Sequence, residues 1–224
     1  MTMVDNQEPA YYAPYKDPGH NHIYNLLFCD NWSLWAKDKE ENRTGTRAAL
    51  FSPEINADAL FRVARDEQEE SRYRLLAYRR LQEIGLEIER RILMGVVVEV
   101  PMDGGLDTLA AFPDGRVRYI NHSGRLVILE TMIPAVIEAV ATLTRAALAV
   151  VDRIGPWEKQ RLPPPAAPVE RFSFLVSDGL YFGQGKYPDI MKDPLARPVM
   201  EAATKLLLIT IDVATKQRKP VHGT

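Results

Sequence analysis

The hydrophobic positions of this chain change their period twice, and each change marks a new kind of element. Residues 1 to about 22 show no period. Pro9, Pro14, Pro18 and Gly19 interrupt a polar run, and proline, which lacks an amide donor and fixes φ, predicts an irregular arm there. From Asn56 to Ile84 the chain has neither glycine nor proline. Asn56 is a suitable N-cap, and Leu60, Val63 and Ala64 begin an apolar stripe. The stretch Arg65 to Arg72 has no apolar residue, so the span is either one long helix with a solvated middle or two short helices. Leu75, Tyr78, Leu81 and Ile84 resume helical spacing beyond it.

The period then shortens. Ile92 to Val100, Leu106 to Phe112, Arg116 to Asn121 and Arg125 to Glu130 are short runs, mostly rich in β-branched and aromatic residues. Met102-Asp103-Gly104-Gly105, Pro113-Asp114-Gly115 and His122-Ser123-Gly124 separate them, and this is hairpin turn chemistry. Four strands in an antiparallel meander follow. A helix from about Met132 to Arg153 is predicted next, capped by Thr131 and stopped at Gly155-Pro156. Leu162 to Pro168 reads as an extended polyproline spacer. A second hairpin points Phe172, Phe174 and Val176 inward, turns at Ser177-Asp178-Gly179 and returns through Leu180 and Phe182. Asp193-Pro194 or Arg197-Pro198 then opens a C-terminal helix running to about Gln217.

Strands and helices are segregated, which predicts an α+β fold: a four-strand antiparallel β-meander plus a later hairpin, covered by three helices. The layout is similar to the profilin, roadblock and longin architectures, by analogy of arrangement only, and that likeness implies no function. With 224 residues the chain suits an aromatic-rich N-terminal arm and irregular region over 1–55 and a single α+β domain over 56–224. Tyr11, Tyr12, Tyr15, Tyr24, Phe28, Trp32 and Trp35 crowd this arm in a chain that is 8% aromatic overall. Such rigid apolar surface should dock on the chain's own core or on a partner.

Charge narrows the function. Lys plus Arg is 28 against 30 for Asp plus Glu, a formal net charge of -2, so no global field calls for nucleic acid. The runs LLLITI (206–211) and AALAVV (146–151) are far shorter than the roughly 18 to 20 residues that cross a bilayer, so no membrane is expected. The first twenty residues carry no unbroken apolar stretch, which argues against a secretory leader. One cysteine, Cys29, favours the cytoplasm.

Several groups carry candidate chemistry. Gly19-His20-Asn21-His22, with Cys29 behind it, has the letters of a metal or nuclease site. A structural zinc site needs four ligands, however, and His122 and His222 lie in a turn and a terminal tail. Cys29 sits in the apolar run LLFC, the setting of a buried hydrophobe rather than a nucleophile. Gly183, Gln184, Gly185 and Lys186 form a candidate ligand loop, but they complete no phosphate-binding fingerprint. Glu99 and Glu130 are embedded in strand sequence, with pairing to Arg116, Arg118 or Arg125 as their expected role. No metal and no cofactor is assigned.

The expectation is therefore a non-enzymatic protein-interaction domain: an adaptor, a complex subunit or an inhibitor of a specific partner. Tyr24, Phe28, Trp32 and Trp35 are its candidate contact residues. The alternative is a small-molecule or nucleotide-binding enzyme using the 183–186 loop or the His20, His22 and Cys29 group. The helix over 198–217 is apolar over more than one stripe, so it is either sandwiched inside the domain or packed across a homodimer axis.

Overall fold

The computed structural model describes residues 10–36, 44–88 and 90–218; residues 1–9, with Pro9, and the tail with His222 lie outside them. The four meander strands are β1 (Leu93–Met102), β2 (Gly105–Ala111), β3 (Val117–Ile120) and β4 (Leu126–Leu129). The later hairpin is β5 (Val169–Val176) and β6 (Gly179–Lys186). All pair antiparallel in one sheet of order β4-β3-β2-β1-β5-β6. The fold is α+β. The hairpin joins the free edge of β1, so β1 and β5 become central strands and are buried on both faces over most of their length. Gly115 and Gly124 close two of the turns at φ 85° and 84°, values that only glycine adopts freely.

Among the described residues there are seven helices, and they cover both faces of the sheet. One face is covered by α5 (Pro134–Val151) and α7 (Ala196–Arg218), with the four-residue α6 (Tyr187–Ile190) beside them. The other is covered by α1 (Pro18–Leu26), α2 (Gly45–Phe51), α3 (Ala57–Arg65) and α4 (Ser71–Glu83). The span expected as one helix or two is two, α3 and α4. The Asn56 side chain caps α3 by accepting from the Ala59 amide at 3.0 Å. Ser71, at the first turn of α4, donates its amide to Asp114 Oδ2 at 2.7 Å, so a sheet turn satisfies a helix-start donor.

Four expectations need correction. The arm is not irregular throughout: α1 begins at Pro18, where Asp17 Oδ1 accepts from the His20 amide at 3.0 Å. Proline is tolerated at the first helical position, where its missing donor would have gone unused. Thr131 does not cap α5; Ile133 holds that place and Pro134 opens the helix. On β6 it is Tyr181, opposite Phe174, that enters the α5–α7 core, while Leu180 packs on the other one. Finally, α5 is long and apolar enough, at mean hydropathy 1.6, to span a membrane by length and composition. In this fold Val136, Ala139, Val140, Leu143, Ala147 and Val151 bury its inner stripe, and Glu138 and Arg145 stand exposed on it.

Gly105 opens β2 under the next turn, where an added Cβ would lie 2.8 Å from the His122 carbonyl oxygen. Backbone cannot yield as a side-chain tip can, so Gly105→Ala is expected to cost about 1–3 kcal/mol. Urea unfolding should show a lower midpoint; an unchanged midpoint would mean that the turn gives way freely.

Candidate functional site

The candidate contact residues of the arm all pack with the α1–α4 layer. Tyr24 and Phe28 are buried in the core of the α1–α4 layer, their rings edge to face with centroids 5.3 Å apart. Trp32 and Trp35 are half-buried, with the Arg80 guanidinium 4.2 Å from the Trp32 ring centre and that of Arg72 5.0 Å from Trp35. Arginine over an aromatic face gains the ring's negative quadrupole. Cys29 is buried beside Phe28, and burial pushes its thiol up to about 12, so it carries no thiolate at neutral pH.

The other candidates separate. No group of three or more His, Cys, Asp or Glu among the described residues is placed to hold a metal ion. His20 lies at the start of α1 near Gly124, and His122 pairs with Asp107 at 2.7 Å. Gly183, Gln184, Gly185 and Lys186 are not a loop; they are the end of β6, paired with Phe172, Arg171, Glu170 and Val169. Gln184 Oε1 accepts from both Nε and Nη2 of Arg171 at 3.1 Å.

That arginine belongs to a row of polar side chains crossing the sheet beneath α1. Register puts Thr108, Glu99, Arg171 and Gln184 side by side on β2, β1, β5 and β6. Glu99 is 1% exposed. It is not a solvent-side residue paired with Arg116, Arg118 or Arg125: Tyr24 donates its hydroxyl to Oε1 at 2.7 Å, and Arg171 Nη1 lies 4.0 Å from Oε2. Tyr15 donates to Thr108 at 2.7 Å. Glu130, by contrast, pairs with Arg116 and Arg118 as expected. Burial raises Glu99 above its ordinary value of 4.5, against the Tyr24 hydrogen bond and the charges of Arg171 and Arg161.

Arg171 also donates to the Pro163 carbonyl at 2.6 Å, and Pro163 borders a cleft of about 1020 Å³ between the α1 exit, α4, the β5–β6 turn and the strap over residues 156–163. Arg161, 5% exposed, ties its parts together. Its Nε donates to Asp30 Oδ2 at 2.6 Å and its Nη2 to Asn25 Oδ1 at 3.1 Å. Its guanidinium stands 3.9 Å from the Phe28 ring centre, and its carbonyl accepts from the Tyr12 hydroxyl at 2.7 Å. Across the cleft, Asp178 Oδ2 accepts from the Tyr181 hydroxyl at 2.8 Å and Arg91 Nε at 3.1 Å. Trp157 packs edge-on to Phe182 and donates its amide to Leu180. Three buried polar atoms here have no partner: Arg161 Nη1, Asp30 Oδ1 and Asp178 Oδ1. Burial also lowers Arg79, despite the nearby carboxylates of Asp30 and Asp178.

Nothing local in the sequence points to this cleft: Leu162 to Pro168 reads as a spacer, and no local signal joins Arg161 to Asp30, 131 positions away. Compared with known proteins, the chain matches no family, no curated protein and no solved structure.

Two outcomes check this account. Phe28→Ala should cost about 3–5 kcal/mol in urea unfolding, the loss for a fully packed ring; a loss under about 1 kcal/mol would mean that α1 is only loosely docked. Glu99 holds its proton more tightly in the folded than in the unfolded chain. Its contribution is therefore fully present below its unfolded value near 4.5 and lost as pH rises through its raised folded value. Relative to Glu99→Gln, which cannot ionise, the parent should lose stability as pH is raised from about 4 to about 8, measured by urea unfolding at each pH. A difference independent of pH would contradict the assignment.

Proposed function

We propose that the chain is a non-enzymatic protein-interaction domain, an adaptor, complex subunit or inhibitor, that works in the cytoplasm without nucleic acid or membrane. The observation that carries the reading is the outer face of the α5–α7 layer. Leu208 is 63% exposed, Ile211 40% and Leu148 39%. Large side chains left in water mark a contact surface when they are contiguous, and Leu208 and Ile211 stand one turn apart on α7. The inner stripe of α7, with Val199, Ala203 and Leu206 buried, has its cover within the fold, so the outer residues are surplus to folding. Leu207 also packs toward the core. A second copy of the chain is the first partner for this face, through the 198–217 helix. Trp32 and Trp35, whose rings keep some surface in water, offer a further contact above the buried anchors Tyr24 and Phe28.

The near-neutral charge supports a partner other than nucleic acid. Glu138 and Arg145 on the exposed side of α5 would stand in hydrocarbon if that helix spanned a bilayer, a placement that is costly.

Because Leu208 is exposed, Leu208→Asp removes the contact without putting a charge into the core. In sedimentation over a range of concentrations the parent is expected to self-associate, and the variant to remain a folded monomer. A parent that stays monomeric defeats the homodimer. The heterologous partner then stands or falls on affinity purification with parent and variant as baits, in which the partner should be recovered with the parent alone.

A further inference from the structure

We propose that the cleft closed by Arg161 is a binding site for a small zwitterion of the α-amino acid class, which carries one ammonium and one carboxylate group. The inference is independent of the α7 face, which lies on the other side of the sheet.

The side chains of the cleft carry both signs. Carboxylates come from Asp30, Glu83, Glu158 and Asp178, and cations from Arg79, Lys159 and Arg161. A plain anion would meet the four carboxylates, and a plain cation the three basic groups. A ligand carrying both charges can turn each end to its complement, and in a partly desolvated site each match is worth more than it would be in water.

The unpartnered atoms point the same way. Arg161 is fixed by Asp30, Asn25 and the Phe28 ring, yet Nη1 has no acceptor; Asp30 and Asp178 are each fixed through one oxygen, yet the other has no donor. A buried donor or acceptor left unpaired costs about 1–3 kcal/mol, so a native chain keeps such groups where something pairs with them. One donor and two acceptors on side chains that line one cleft match a carboxylate on Arg161 and an ammonium at Asp30 or Asp178. The three atoms are closed off from water as they stand, and a turn of each side chain brings it to the ligand.

Trp157, half-buried with its edge on Phe182, and Tyr12, held through its hydroxyl to the Arg161 carbonyl, give an aromatic wall for the ligand's side chain. The volume of about 1020 Å³ is at the upper end of small-molecule sites and admits a whole amino acid.

The test is isothermal titration calorimetry of the full chain with each standard L-amino acid, followed by the N-acetyl and carboxamide forms of any that binds. At least one amino acid should give saturable heat, and blocking either end should weaken it by at least about tenfold. Asp178→Asn keeps the shape of the side chain but removes its charge, and Trp157→Ala removes the wall; each, checked as folded by circular dichroism, should weaken binding by at least about tenfold as well. The proposal is overturned if no amino acid binds, if a blocked form binds as tightly as the free one, or if both folded variants bind unchanged. Failure here leaves self-association through α7 untouched, since sedimentation reads that separately.

Discussion

Everything in this fold depends on covering a sheet that is apolar on both sides. Met94 and Val97 of β1 face one core while Val96 and Val98 face the other, and Phe174 and Leu175 of β5 divide in the same way. Strands of that composition cannot leave a face in water. The α5–α7 layer covers one side with mostly aliphatic packing. The other side is assembled from four short helices and the aromatic residues of the N-terminal segment, none of which could be stable alone, because short isolated helices are marginal in water.

That second layer is held by charge as well as by burial. Arg161 reaches from the strap to Asp30 and Asn25, and Tyr24 reaches from α1 to Glu99. Buried ionic and polar links of this kind add little net stability compared with apolar packing, but breaking one leaves its partner uncompensated. Here they fix where α1 sits on the sheet, and they set the walls of the cleft. Each of these cleft side chains spends only part of its hydrogen-bonding capacity on that positioning, and Arg161 Nη1, Asp30 Oδ1 and Asp178 Oδ1 stay buried without a partner.

The two proposed contact surfaces lie on opposite layers for related reasons. On the aliphatic side α7 carries more apolar residues than one contact stripe requires, so Leu208 and Ile211 remain exposed. On the other side the cover is discontinuous, because the chain must leave α1, return through the strap and pass the β5–β6 turn, and the gap between these pieces is the cleft.

The sequence by itself determined what rests on neighbours a few residues apart. Turn glycines marked the meander and Asn56 marked the start of α3, while the apolar-free stretch after Arg65 left one helix or two open until the structure divided it into α3 and α4. Alternation also put Glu99 on the face of Val97. It could not show that this face is covered, because the cover comes from α1, and Pro18 reads as a breaker unless the Asp17 cap before it is weighed. The spare apolar stripe of the last helix was legible as well. Tertiary structure alone decided that Gly183 to Lys186 lie in a strand and that Tyr181 turns inward. It also joined Glu99 to Arg171 and Arg161 to Asp30. A charged side chain finds its partner by the path of the whole backbone, and local pattern carries no information about a meeting between residues so far apart in the chain.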